Sequence, residues 1–271
     1  MSVGWSKHKE KWEDRIDRAG ELGERCPWAR QVLSFYTKVI EFQMGNGPAE
    51  SKEQPGPPSV NGSLLAAIDF ELAAGDVPRL AAMVRQWGPP KLAAEAVHWL
   101  ESSSDAIRTM IEKWPSERQS YESGADFFAR VVLEPQAERL AHALVSTPTR
   151  AAGNKCPSCE CDPQLAVIRP EGDGGKRMLL CSLCHTEWEF RRILCPNCGE
   201  EDHEKLPRYA AEGGTVVRVE ACETCRCYLK SVDLTVDGRA VPLVDEVATA
   251  PLDLWAVEHG YRKIMPNIMG F

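Results

Sequence analysis

No apolar stretch in this 271-residue chain approaches the roughly 18 residues that cross a bilayer. The first residues, MSVGWSKHKEKWEDR, lack the apolar core of a secretory signal, which makes the cytoplasm the expected compartment. Positive charge is not in excess either. The net charge is -8, so a nucleic-acid role would need a local basic patch working against the overall field. The first half nearly lacks cysteine. Of 11 cysteines, Cys26 stands alone there and the rest lie between Cys156 and Cys227. In a reducing compartment, disulfides explain such a cluster poorly and metal ligation explains it well. What remains is ordinary globular composition, 43% hydrophobic and 27% charged, enough for one large or two modest domains.

The first half carries helical periodicity between breaks. Residues 6–23 suit a charged helix with Trp5, Trp12, Ile16, Ala19 and Leu22 on one stripe. Pro27 sits where a first-turn proline opens a second helix, over Trp28 to Met44. GNGPAESKEQPGPPSVNG, 45–62, predicts an exposed loop. Helical patterns resume in SLLAAIDFELAAGD, PRLAAMVRQW, PPKLAAEAVHWLES, DAIRTMIEKW and 124–145, where Pro135 predicts a kink or a boundary. Trp99, Trp114, Phe127 and Phe128 are expected in the core of a helical bundle. A polar linker, 146–155, leads into a region of different texture. LAVIRPEGDGGKRMLL and LPRYAAEGGTVVRVEA each predict a hairpin, YLKSVDLTV a further strand, and DEVATAPLDLWAVEHGYRKI a return to helix stopped by Gly260.

The cysteines form four C-x-x-C pairs: Cys156/Cys159, Cys181/Cys184, Cys195/Cys198 and Cys222/Cys225. The first two enclose one predicted hairpin and the last two enclose the other. The unit CPxC–hairpin–CxxC thus occurs twice in tandem. A C-x-x-C turn sets two sulfurs on one side of a tight loop, and a hairpin brings a second such turn beside it. Each copy therefore offers four sulfurs in tetrahedral directions. Pairing within a copy closes the shorter loop, while a cross-braced pairing of the first and third turns stays open. Four thiolates leave no place for water, which suits a structural or electron-transfer site rather than hydrolysis. Tetrahedral sulfur accommodates both zinc and iron. His185 and His203 lie near the turns, and with four cysteines per site they read as neighbours rather than ligands.

Two local features stand out. The residue after a turn's second cysteine often takes a left-handed conformation that glycine accepts most easily. Here Glu160, His185, Gly199 and Arg226 hold that position, so either the backbones differ or three of them accept about 1 kcal/mol of strain. Cys161 and Cys227 each lie two residues beyond a complete turn. They read either as small residues packed beside it or as spare thiols that exchange as ligands or carry sulfur or redox equivalents.

Several segments together resemble the FdhE family of formate dehydrogenase accessory proteins, over nearly the whole chain. They are RIDRAGELGERCPWARQVLSFYTKVIEFQ, FFARVVLEPQAERLA, the series CPSC, LLCSLCHTEWEFRRILCPNCG and VEACETCRCYLK, and DEVATAPLDLWAVEHGYRKIMPNIMGF. The resemblance implies an α+β protein: a helical domain at 1–148, a rubredoxin-like or zinc-ribbon metal module at 149–194, and a second at 195–271 that includes a C-terminal helix and tail. It implies Cys156, Cys159, Cys181, Cys184, Cys195, Cys198, Cys222 and Cys225 as metal ligands, two metal ions with iron favoured and zinc open, and no catalytic residue. The implied role is maturation of molybdenum-containing respiratory formate dehydrogenase through contact with its catalytic subunit in the cytoplasm. Cys161, Cys227, Glu160 and Arg226 depart from the family pattern, which has small or polar residues at the first two places and glycine at the others.

Two other functions are open to a chain with these turns. A zinc ribbon that binds nucleic acid is disfavoured by 14 Lys/Arg against 19 Asp/Glu from Asn154 to Phe271, although Arg191 and Arg192 could form a patch. A rubredoxin-type electron carrier would need no large helical domain. Asp245, Glu246, Asp253 and Asn267 are read either as partner contacts or as helix caps and solvated surface. The apolar terminus RKIMPNIMGF docks either on its own core or on a partner.

Overall fold

A computed structural model describes residues 3–45, 64–117, 123–144, 153–214 and 216–271. The expected loop at 45–62 lies outside them from residue 46 onward, as does most of the linker at 146–155.

The first half is helical: α1 (Val3–Arg25), α2 (Arg30–Gly45), α3 (Phe70–Trp87), α4 (Pro90–Glu101), α5 (Ser104–Glu117) and α6 (Ser123–Leu144). Pro27 opens a single 3-10 turn, Pro27–Ala29, that runs into α2. The stripe of α1 buries Trp12, Ala19 and Leu22 as expected, but also Arg15 and Arg18. These two arginines face carboxylates on other elements, Glu138 and Asp245, which satisfy them inside the fold. Trp99, Trp114, Phe127 and Phe128 all lie in the helical core.

α6 is buried on nearly every side and runs unbroken through Pro135. The expected boundary does not occur there. Proline supplies no N–H to the carbonyl four residues earlier, Val131. The Gln43 amide, from α2, donates to that carbonyl at 3.1 Å and to Glu134 at 3.1 Å. A side chain from a neighbouring helix thus replaces the bond that proline removes, and the helix continues.

The second half is one sheet built from two copies of the same three-stranded meander. The first copy holds β1 (Pro163–Glu171), β2 (Gly174–Cys181) and β3 (Glu187–Glu189). The second holds β4 (Arg208–Tyr209), β5 (Val217–Ala221) and β6 (Cys227–Asp233). Strand order is β3-β2-β1-β6-β5-β4, so third–second–first is repeated across the sheet. Pairing within each copy is antiparallel. The copies join through β1 and β6, which run parallel from Leu165↔Lys230 to Ile168↔Asp233. That seam is covered on both faces. Leu165, Val167, Leu180 and Val232 pack with Leu243 on one side, while Ala166, Leu179 and Leu229 join the helical core on the other.

Two short helices, α7 (Pro242–Ala248) and α8 (Ala250–Glu258), and a last strand β7 (Arg262–Lys263) complete the chain. α7 packs on α1, α2 and β6, and every residue from Leu243 to Ala248 is buried. Gly260 ends α8 at a φ of 79°, as the sequence predicts. The terminus folds back onto its own chain: β7 pairs with β6, and Met265 and Ile268 enter the main core.

Candidate metal centres

The strands deliver the eight paired cysteines in two groups. Cys156, Cys159, Cys181 and Cys184 form one, and Cys195, Cys198, Cys222 and Cys225 form the other, with the sulfurs of each group within 4.8 Å of one another. The grouping follows the copies and not the cross-braced alternative. In the first group Cys159–Cys181 is 3.3 Å and both Cys156–Cys184 and Cys159–Cys184 are 3.5 Å. In the second, Cys195–Cys225 and Cys198–Cys222 are each 3.7 Å. Sulfurs roughly 2.3 Å from a tetrahedral ion stand about 3.8 Å apart, so both groups fit a four-sulfur site.

Three of the turns are closed by two backbone hydrogen bonds and the second by one. The N–H of the residue after the second cysteine donates to the first cysteine's carbonyl: Glu160 to Cys156 and Arg226 to Cys222 at 2.9 Å, Gly199 to Cys195 at 3.0 Å. The first cysteine's own N–H donates to the carbonyl five residues on: Cys161, Thr186, Glu200 or Cys227, at 2.9–3.0 Å. Further N–H groups point at sulfur, Ser158 on Cys156, Leu183 on Cys181 and Asn197 on Cys195, each at 3.4 Å. Such donors favour thiolate over thiol.

This geometry settles the glycine position. All four residues are left-handed, with φ of 59° at Glu160, 53° at His185, 56° at Arg226 and 79° at Gly199. Two of the non-glycine side chains reach neighbouring elements. His185 Nδ1 lies 3.3 Å from Glu138 and 3.4 Å from Arg15. The Arg226 guanidinium stacks 4.0 Å from the Tyr261 ring centre and donates to the His259 carbonyl at 2.6 Å. The strain of about 1 kcal/mol or more per residue is accepted where the side chain ties a turn to the rest of the fold.

Electrostatics explain why a cation belongs here. Four thiolates at this spacing repel one another. In the first group, hydrogen bonds from Cys159, Cys181 and Cys184 push Cys156 far down, while Cys159 rises beside Cys156 and Cys161. Burial raises Cys181. In the second group burial also raises Cys195 and Cys198. Burial opposes ionisation of Cys225 too, but hydrogen bonds from Asn197, the Cys227 backbone and the thiols of Cys198 and Cys222 bring it down to about 7. The sulfurs alone thus ionise unevenly within each group. A divalent cation lets all four ionise, so each group could hold one metal ion.

Cys161 and Cys227 stand outside both groups. Their carbonyls close the first and fourth turns, a backbone role that Thr186 and Glu200 fill in the others. Both side chains are buried. The Cys161 thiol lies beside Cys159 and Cys181, and the Arg262 guanidinium donates to Cys227 at 3.6 Å. His203 is exposed and away from the sulfurs.

Asp245, Glu246, Asp253 and Asn267 are all buried, at 5%, 0%, 3% and 1% exposure. They are therefore neither solvated surface nor a face open to a partner. Asp245 holds Arg18 of α1 by two bonds of 2.6 and 3.0 Å. Glu246 binds Lys263 and accepts from Asn267 at 2.5 Å. Asp253 accepts from Lys230 at 2.5 Å and from Tyr228 at 2.9 Å. Two lysines and two carboxylates thus balance inside the fold, tying β6, α7, α8 and the tail together.

A clamp on the first group escaped sequence reasoning. Arg130 of α6 is fully buried and donates to the Ser182 carbonyl inside the second turn at 2.8 Å, to Gln164 at 3.0 Å and to the Pro266 carbonyl at 2.7 Å. Glu138, one helical stripe along, holds Arg15 at 2.8 Å and His185. The available signal was the run Asp126, Arg130, Glu134, Glu138, four residues apart within an otherwise apolar segment.

Fold and site together define a helical protein continued by a tandem pair of four-cysteine, rubredoxin-like modules that share one sheet. Residues 155–192 match the family description "FdhE, central domain" and residues 193–269 match "FdhE, C-terminal domain". The chain is similar to "Protein FdhE homolog" of Aquifex aeolicus (strain VF5), 28% identical over 279 residues, 98% of this chain and 97% of that protein. Its namesake in Pseudomonas aeruginosa is 36% identical over 132 residues, 47% of this chain and 42% of that protein. The crystal structure of the FdhE protein from Pseudomonas aeruginosa has the same fold, with a TM-score of 0.70 over 95% of both chains at 24% identity. Both FdhE domain descriptions thus match consecutive stretches of this chain, and the likeness to an FdhE homologue extends over nearly its whole length.

Proposed function

We propose that this protein is an accessory factor in the maturation of molybdenum-containing respiratory formate dehydrogenase, acting on the catalytic subunit in the cytoplasm. The observation that carries the reading is the pair of four-sulfur groups on one sheet, within the two stretches that match FdhE domains. In this reading Cys156, Cys159, Cys181, Cys184, Cys195, Cys198, Cys222 and Cys225 ligate two metal ions. Iron is the metal the family resemblance favours, and zinc meets the same geometry. Four sulfurs per ion leave no open position for a substrate or water, which supports a non-catalytic role for the metals. No described helix is long and apolar enough to cross a membrane. The division proposed is a helical domain to residue 148, one metal module at 149–194 and the other at 195–271.

Deleting the gene tests the function. Formate dehydrogenase polypeptide should persist at near-normal amount while its activity falls, and a plasmid copy should restore the activity. Full activity in a deletion strain with no second copy contradicts the proposal.

A further inference from the structure

The two sulfur groups are alike in chemistry and opposite in setting. Cys156, Cys159, Cys181 and Cys184 are at most 2% exposed and belong to the same core as the helices. Three parts of the helical half close over them. The Leu64 N–H donates to the Ser158 carbonyl at 3.0 Å. Arg130 holds the Ser182 carbonyl. Arg15 and Glu138 hold His185. A solute reaches these sulfurs only after such contacts open.

The second group has no comparable cover. Cys195 and Cys222 are buried, but Cys198 is exposed and Cys225 half-exposed. The hydrogen bonds around it come from its own copy and from the C-terminal segment, not from the helical half: Thr224 to Glu200 at 2.5 Å, Glu223 N–H to the Lys205 carbonyl at 2.9 Å, Asn197 N–H to Cys195, and Arg226 to the His259 carbonyl at 2.6 Å. Arg192 and Arg208 line a cleft whose wall also includes Cys195 and Cys222.

We infer that the second group is the exchangeable one. Cys198 and Cys225 are the sulfurs that a chelator, an electrophile or a thiol-bearing partner meets first, while the first group is a permanent lock between helices and sheet. The inference rests on the metal-binding reading above. It assigns different duties to two sites that the repeat alone makes equivalent. Metal entry and loss, and any chemistry with a client thiol, take place at the corner formed by Cys198 and Cys225.

The test uses the full-length protein with its metal as purified. Native mass spectrometry follows metal content during incubation with excess EDTA. N-ethylmaleimide labelling, mapped by peptide, is run in parallel. One metal should leave about tenfold faster than the other or more, passing through a folded one-metal species labelled at Cys198 and Cys225. Arg130→Met should speed the slow release and leave the fast one unchanged. Equal release rates, or earlier labelling of Cys159 or Cys184, overturn the inference while leaving the metal reading standing. A protein that carries and accepts neither iron nor zinc overturns the metal reading itself.

Discussion

At the scale of single residues, three of the four turns place a side chain where the backbone favours glycine. Glu160, His185 and Arg226 hold a backbone conformation that costs most residues about 1–2 kcal/mol. A β-branched residue suffers more than a straight one. Glu160→Val and Glu160→Gly remove the same side chain, and only valine keeps the strain, so the glycine variant should be the more stable by about 1–2 kcal/mol. Thermal melts of the two variants check the order, and a glycine variant less stable than the valine one would contradict it. Arg226→Gly relieves the same strain but removes the stacking on Tyr261 and the bond to His259. Cys161 and Cys227 contribute a carbonyl to their turns and a buried sulfur beside them. Replacing both with serine should keep both metals bound at pH 7. Loss of an equivalent would make one of those sulfurs a ligand.

At the scale of elements, polar side chains do the joining. Gln43 takes the place of the N–H that Pro135 lacks. Gln43→Leu leaves the buried Val131 carbonyl without its donor and should cost about 1–3 kcal/mol in urea unfolding. In a Pro135→Ala background the helix supplies its own donor, so the same change should cost less. Equal costs in both backgrounds would refute the exchange. Two buried carboxylates should respond to pH with opposite signs. Burial alone would raise Glu246, but Lys230 and Lys263 beside it, with bonds from Lys263 and Asn267, hold it below the ordinary glutamate value. Its folded value is below its unfolded one, so its contribution is complete at neutral pH and fades as pH falls through the folded value. Burial raises Glu134 despite Arg130 and His185, so its native state gains as pH falls into the acid range. Glu246→Gln should flatten the acid loss of stability below about pH 5 and Glu134→Gln should steepen it. Urea midpoints measured across pH decide between these slopes and their reverse.

These elements also mark how far the sequence is legible. The knuckles, hairpins and most helices can be read because their signals are local: C-x-x-C spacing, a Gly/Asp turn, apolar periodicity. The seam of β1 on β6 joins residues 165–168 to 230–233 and has no local signature. Glu246 and Asp253 read either as partner contacts or as helix caps and solvated surface because the lysines that hold them lie on distant elements. Pro135 reads as a break because its remedy, Gln43, lies on α2. At the sulfur groups the spacing singles out the eight cysteines but leaves their grouping open, and the burial of one group and the exposure of the other depend on where the helices pack.

At the scale of the whole molecule, the first sulfur group stands at the junction of helices and sheet, and the second stands at the far part of the sheet. Cys156, Cys159, Cys181 and Cys184 share a core with α1, α2 and α6. Losing the ion there should therefore loosen both halves, whereas losing the other should loosen the second copy alone. The metals underlie this account of fold and function alike. Metal analysis of anaerobically purified full-length protein, with its visible spectrum, tests them most directly. The account predicts two equivalents per chain, with a red protein if the metal is iron and a colourless one if it is zinc. A fully folded chain with no metal, and no uptake of either ion, would contradict it.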